Sequence, residues 1–520
     1  MAALLACAAA AQVPRYGVFE TALTADRDFE NPFTEARVTA EFRSPDGRKF
    51  VTEGFYYGGA EWRVRFAPDR VGNWSYDARL TGKGVSARKS GTFQCTDSER
   101  RGFVRVSRRN PYRLEYDDGT PFYPIGVQTC GYFDAGMDGP GPDGKWKAVP
   151  AATWAKAFEG SVNLLRWQLG AGTKAGCALP LIPPGGPPDR YDTELARRMD
   201  ELMALQKGHG FSHIMILFQD MSLWGDGETT FGKGHDLRGY KSLDAPNLPQ
   251  QDAYIRYVVA RWGAYVDIWE LFNEDSYAPD SYLAHLAAVV RKADPYRHPV
   301  TTNYTRSTAS WNEMVTWHAY MSIPANDVDH WVAAAAGRYK SYGKPVLNTE
   351  FGNKGMLSNL DPVKWRVAAW TAFLSETNML YWGMSGTITK PNPRGNANAY
   401  LGPDTRQHLR VLNEFTRGLQ IDLRPVDCSY SLQNDVRIYA LANGKTAVVY
   451  VHHWADHAKP FEMKGGIYVH TGAGTFRATW IDPATGAVVK TVSAASTGEY
   501  TVVEMPPVTI DLACRMERQD

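Results

Sequence analysis

The chain has 520 residues, is 44% hydrophobic, and carries 57 basic against 56 acidic residues for a net charge of +1. That length exceeds one hydrophobic core and implies two or three domains, and the balanced charge excludes the one-signed field that would draw nucleic acid or an anionic membrane. With 16 Trp and 27 Tyr, the composition suits a protein that stacks rings against flat ligand faces, as sugars present.

The first residues, M-A-A-L-L-A-C-A-A-A-A-Q, read as the tail of a secretory signal with an A-x-A type cleavage site near Ala11, so residues 1–12 are assigned to a signal remnant. That places the protein outside the cytoplasm: secreted, periplasmic or at the cell surface. L-L-A-C leaves a lipoprotein signal modified at Cys7 open, and a disordered Ala-rich leader is the bland alternative. No other apolar run reaches the roughly 20 residues of a membrane span. The six cysteines show no C-x-x-C spacing, which argues against structural zinc. Cys428 and Cys514 bracket the last domain, and a disulfide or two buried thiols both fit.

Residues 13–104 alternate apolar and polar positions in short runs such as A-R-V-T-A-E-F and W-R-V-R-F-A-P, split by turns like S-P-D-G-R. That pattern predicts an N-terminal β-sandwich. Over residues 105–422 the rhythm changes. Short β-rich runs at 122–128, 162–167, 213–219, 266–274, 299–304, 315–320, 345–350 and 379–384 alternate with stretches of period 3.6. The clearest helix is T-E-L-A-R-R-M-D-E-L-M-A-L-Q-K, with Asp192 as cap and Gly208 as stop. Eight strand-helix units over this length predict a (β/α)8 TIM barrel, and no Gly-rich phosphate loop follows the first strand to favour an open doubly wound sheet. Residues 423–520 return to short strands around the hairpin signals N-G-K and D-P-A-T-G, predicting a C-terminal β-sandwich.

The stretch D-I-W-E-L-F-N-E-D-S-Y puts Asp267, Glu270, Glu274 and Asp275 into an otherwise apolar run. Buried carboxylates are costly unless partnered, so each needs a reason. Functional groups in such a barrel sit at the C-terminal strand ends. If the fourth strand runs from Val266 to about Asn273, Glu274 is at its mouth. Glu270 lies deeper and needs a cation, for which Arg166 on the second strand is a candidate. A second glutamate, Glu350, ends the seventh run, P-V-L-N-T-E-F-G. Two carboxyl groups flanking a sugar suffice for glycosidic cleavage, and a separation of ~5–5.5 Å gives retention of configuration. No metal or other cofactor is expected; the loop D-A-G-M-D-G-P-G-P-D-G lacks the spaced acids and terminal Glu of a calcium site.

N-E at the end of strand four and E-F-G at the end of strand seven resemble the clan A retaining glycoside hydrolases. The resemblance implies Glu274 as acid/base and Glu350 as nucleophile, with Arg166 at strand two, His318 and Tyr320 in W-H-A-Y at strand six, and Trp382 in Y-W-G-M at strand eight as site residues. The flanking segments are similar to apiosidase-like and endoglucanase-type proteins of polysaccharide-degrading bacteria, which implies a plant or algal glycan as substrate. Asn273 is expected to hydrogen-bond the sugar 2-hydroxyl, an interaction that tightens at the transition state. Tyr320 and Arg166 are expected to keep Glu350 ionised, His318 to hold a hydroxyl or orient Glu274, and Trp382 to floor the sugar. Gln128, Gln219 and Asp220 also end strands and are candidates to line the pocket. Trp154, Trp167, Trp224 and Trp317 are as consistent with packing as with stacking. Two other readings use the same residues: a carbohydrate-binding barrel without activity, and a transglycosidase.

Overall fold

The computed structural model describes residues 11–520 apart from 129–136, 141–145, 149, 172–178, 184–185, 220–240, 276–277, 305, 353–360, 383–398, 430–434 and 464. Cys7, Cys130, Cys177, Asp220, Trp224 and most of the two long Gly-rich loops therefore lie outside the described residues.

The central sheet is built from the eight runs found in the sequence: Ile125–Gln128, Leu164–Ala171, Ser212–Gln219, Ile268–Asn273, Val300–Thr301, Val315–Tyr320, Val346–Gly352 and Thr377–Trp382, here the first to eighth strands. Their order across the sheet is fifth, fourth, third, second, first, eighth, seventh, sixth. The seam between fifth and sixth is closed by a parallel bridge from Asn303 to Thr316 and by the Thr316 hydroxyl donating to the Thr302 carbonyl at 2.7 Å. Parallel strands in cyclic chain order fit a TIM barrel. Such strands are covered on both faces, which is why they appear in the sequence as near-continuous apolar runs. Gly126 is needed where the first strand passes its neighbours: a Cβ there would lie 2.4 Å from Leu380 Cγ and 2.8 Å from the Leu164 carbonyl.

Helices follow the strands, with one exception among the described residues. Between the fifth and sixth strands the described residues make a bridge and turns but no helix, correcting the expectation of eight complete strand-helix units. The segment R-S-T-A-S-W-N is rich in residues whose side chains bond the local backbone in place of a helix. Asn312 Nδ2 donates to the Arg306 carbonyl, and Lys344 Nζ holds the Ser307 and Ala309 carbonyls at 2.6 and 2.8 Å.

By compactness the chain divides into two units: Met1–Val104, Gln168–Ala204 and Ile214–Val300, and Arg105–Trp167, Leu205–His213 and Thr301–Asp520. In the first, a five-stranded and a three-stranded sheet share one apolar core that includes Phe19, Phe42, Trp62, Phe66, Trp74 and Phe93. Its first strand, Ala11–Pro14, pairs Ala11 with Phe93 and Gln12 with Gln94. Ala11 and Gln12, from the stretch read as leader, are thus paired in this sheet, and the next residue, Val13, is buried in the core. Arg65, from the sheet strand Glu61–Phe66, reaches Asp200 on the helix Thr193–Gly208, and Arg261 on the helix Leu248–Trp262 meets the same carboxylate. The Thr193–Gly208 helix starts where its sequence predicts, with Asp192 Oδ1 accepting from the amides of Glu194 and Leu195 at 2.9 Å.

In the second unit, a six-stranded and a three-stranded sheet enclose a core containing Val449, Phe476, Trp480 and Met516. The helix Pro362–Leu374 is buried on every side. A helix apolar all round must be covered all round, and here Trp370 stacks on Tyr450 while Arg366 makes a two-point pair with Asp511 at 2.8 and 2.9 Å. Cys428 and Cys514 are free thiols, so the disulfide alternative is not realised. Burial pushes the Cys428 thiol up to about 12. No described helix is long and apolar enough to cross a membrane.

Candidate active site

The seventh strand carries the local irregularity that presents Glu350. Against the sixth strand, Trp317 pairs with Asn348 but His318 pairs with Glu350; against the eighth, Asn348 pairs with Met379 and Phe351 with Tyr381. The seventh strand thus holds one extra residue relative to both neighbours. A bulge of this kind re-aims a side chain. Thr349, within it, accepts from Asn303 Nδ2 at 3.2 Å, and Asn348 Oδ1 accepts the Glu350 amide at 3.1 Å. The turn in register is therefore held by side chains on both sides.

Glu350 is fully buried, and its two oxygens are bonded differently. Arg166 Nη1, from the second strand, lies 2.6 Å from Oε1. The Tyr320 hydroxyl, at the end of the sixth, donates to Oε2, and His318 Nδ1 stands 3.4 Å from that same oxygen. Arg166 also donates to Gln128 Oε1 on the first strand. Arg166, Gln128 and Glu350 are each at most 1% exposed. A carboxylate taken out of water survives as an anion only with such partners, and here a cation and a hydroxyl donor supply them. Trp382, half-buried at the end of the eighth strand, stands edge-on to Tyr320 with ring centroids 6.0 Å apart.

Arg166, which the sequence offers to Glu270, thus has its Nη1 on Glu350 and Gln128. His318, expected at a sugar hydroxyl or at Glu274, has Nδ1 beside Glu350 and 3.4 Å from the hydroxyl of Tyr304. Tyr304 is a residue the sequence reading passed over. It ends the run P-V-T-T-N-Y, and the strand-end rule that selected Gln128 would have selected it too.

The fourth strand answers for its four acids. Asn273 closes the strand and is buried. Glu274 is the next residue, partly exposed, with its backbone in the left-handed region at φ +55°. Asp275 is buried, and its carboxylate takes Lys241 Nζ at 2.8 Å and the Ala278 amide, anchoring the loop. Asp267 and Glu270 are buried within the strand region. Among the four, only Glu274 presents itself to solvent, in a backbone conformation that a side-chain-bearing residue adopts at a cost of about 1–3 kcal/mol.

Of the four ambiguous tryptophans, the three among the described residues pack. Trp154 stacks on Phe158, Trp167 donates from its indole nitrogen to Gln206 at 3.1 Å, and Trp317 packs on Trp331 and Tyr339.

Residues 12–81 match a family model described as a domain of unknown function, DUF5060. No curated protein matches the chain. Among solved structures, a candidate glycoside hydrolase from Bacteroides vulgatus is 18% identical, covering 98% of this chain and 100% of its own, with a TM-score of 0.69. A glycoside hydrolase family 5 protein from the same organism is 13% identical over 81% of this chain and 93% of its own, with a TM-score of 0.56. A further glycoside hydrolase is 14% identical over 81% and 98%, with a TM-score of 0.53. Over most of its length the chain shares the fold of proteins named as glycoside hydrolases.

Proposed function

We propose that this protein is a retaining glycoside hydrolase, acting outside the cytoplasm on a plant or algal polysaccharide or oligosaccharide, with the flanking sheet pairs serving as β-sandwiches. The observation that carries this reading is the Glu350 carboxylate, set at a strand bulge with Arg166 on one oxygen and Tyr320 on the other. An anion so held is oriented for attack.

In this reading Glu350 attacks the anomeric carbon while Glu274 gives its proton to the departing glycosidic oxygen. The C–O glycosidic bond breaks, and an ester between the sugar and Glu350 forms. Glu274, now a carboxylate, removes a proton from water; the water oxygen attacks the same carbon, the ester breaks, and Glu350 returns as an anion. Two inversions give retention. Asn273, beside the acid, is assigned to the sugar 2-hydroxyl and Trp382 to the ring face. The scheme needs no metal or other cofactor.

The test is turnover on an array of glycans and aryl glycosides, with Glu350→Gln and Glu274→Gln as controls. The reading expects one class of substrate to be hydrolysed and both variants to lose at least ~10²-fold in kcat. Unchanged turnover in Glu350→Gln sinks it.

A further inference from the structure

Tyr304 stands directly after Asn303, the residue that bridges the fifth strand to the sixth. Its backbone is left-handed, at φ +72°, a region that a bulky aromatic residue rarely occupies and that glycine would occupy freely. Its ring lies edge-on to His318, with centroids 5.0 Å apart, and its hydroxyl is 3.4 Å from His318 Nδ1. That nitrogen is in turn 3.4 Å from Glu350 Oε2. Yet the side chain is not enclosed: Tyr304 is 43% exposed, among the more exposed aromatics among the described residues.

A packing role does not account for this combination. A tyrosine that only fills space would be covered. Left-handed backbone in side-chain-bearing residues clusters at active sites and ligand clamps. An exposed phenol beside the group that faces Glu350 offers a hydroxyl to donate and accept and a ring edge to lie along a sugar.

We propose that Tyr304 is a substrate-contacting, specificity-setting residue, whose hydroxyl takes a hydroxyl group of the neutral sugar bound against Glu350 and whose ring bounds that sugar on the His318 side. The proposal rests on the glycosidase reading and deepens it. Because the contact is made alike with bound substrate and at the transition state, its loss raises KM and leaves kcat nearly alone.

The experiment compares wild type, Tyr304→Phe, Tyr304→Gly and Glu350→Gln on the best substrate of the glycoside array, with thermal unfolding of each. Tyr304→Phe is expected to raise KM about threefold to tenfold, the value of one neutral hydrogen bond, with kcat within about twofold. Tyr304→Gly is expected to raise KM further while Tm holds or rises, since glycine relieves the left-handed backbone. An unchanged KM in Tyr304→Phe overturns the proposal, as does a Tyr304→Gly variant whose lost activity tracks a lowered Tm. If wild type is active and Glu350→Gln is not, either of those results removes Tyr304 alone. If wild type turns over nothing, the glycosidase reading falls and the proposal with it.

Discussion

Arg166 Nη1 lies 2.6 Å from Glu350 Oε1, and neither side chain is exposed to water. Removing the cation leaves a buried anion with part of its solvation missing, a loss of about 3–5 kcal/mol for a pair broken on one side. Arg166→Met is therefore expected to lower kcat/KM by roughly 100-fold or more. Arg166→Lys is not expected to restore it, because the guanidinium serves Glu350 and Gln128 together. Steady-state kinetics on any substrate the protein hydrolyses checks both.

Tyr320 bonds the other oxygen. A hydrogen bond to a charged group contributes about 1.5–3 kcal/mol, so Tyr320→Phe should cost about 10- to 100-fold in kcat/KM, with a loss of folding stability no larger than that bond. A large drop in Tm with a proportional activity loss would assign Tyr320 to packing instead.

Asp200 is the hub of the first unit. It accepts from Arg65 at 2.8 Å, from Arg261 at 2.7 Å, and from the Trp262 indole at 2.9 Å. Asp200→Asn leaves the buried Arg261 guanidinium without a carboxylate and Arg65 with Glu20 alone. The expected loss is about 3–5 kcal/mol, read as a lowered unfolding transition. The exposed pair of Arg88 and Asp77, at 2.7 Å, is the contrast: its removal should hardly move that transition.

The second unit contains a pH-dependent contact. Asp329 is fully buried and takes Arg437 at 2.7 Å, His452 Nδ1 at 3.0 Å and the Tyr439 hydroxyl at 3.0 Å. Burial by itself would raise the Asp329 pKa, but the bond and charge of His452 and the charge of Arg437 outweigh it and hold the carboxyl below its usual range. A depressed folded value means the contact stabilises fully above the unfolded carboxylate pKa of about 3.9 and is lost as pH falls through the lower folded value. Unfolding midpoints measured from pH 6 down to pH 3 should therefore fall more steeply for wild type than for Asp329→Asn, with the variant less stable at pH 6.

The barrel was legible because parallel strands covered on both faces must be apolar throughout, and eight such runs separated by helical periods leave few topologies. Gln128, Glu274 and Glu350 could be named from their place at a strand's mouth, whereas Arg166, His318, Tyr320 and Trp382 were named as site residues through the resemblance. What needs a neighbour to exist could not be read. The bulge at Thr349 is a property of register between three strands, and no single strand's sequence contains it. The bond between Lys241 and Asp275 joins residues 34 apart in sequence, with the helix Leu248–Trp262 and the fourth strand between them. The missing helix after Val300–Thr301 was hidden by the regularity of the rest, and the left-handed backbone of Glu274 and Tyr304 has no signature when the residue is not glycine.

The most direct test of the central claim is covalent trapping. An activated 2-deoxy-2-fluoro glycoside of the sugar that the array identifies slows the second step more than the first, so the ester intermediate accumulates. Mass spectrometry of a peptide digest should then find one added sugar per chain, on Glu350, and none in Glu350→Gln. A labelled residue other than Glu350, or an active enzyme that never carries the sugar, would contradict the account.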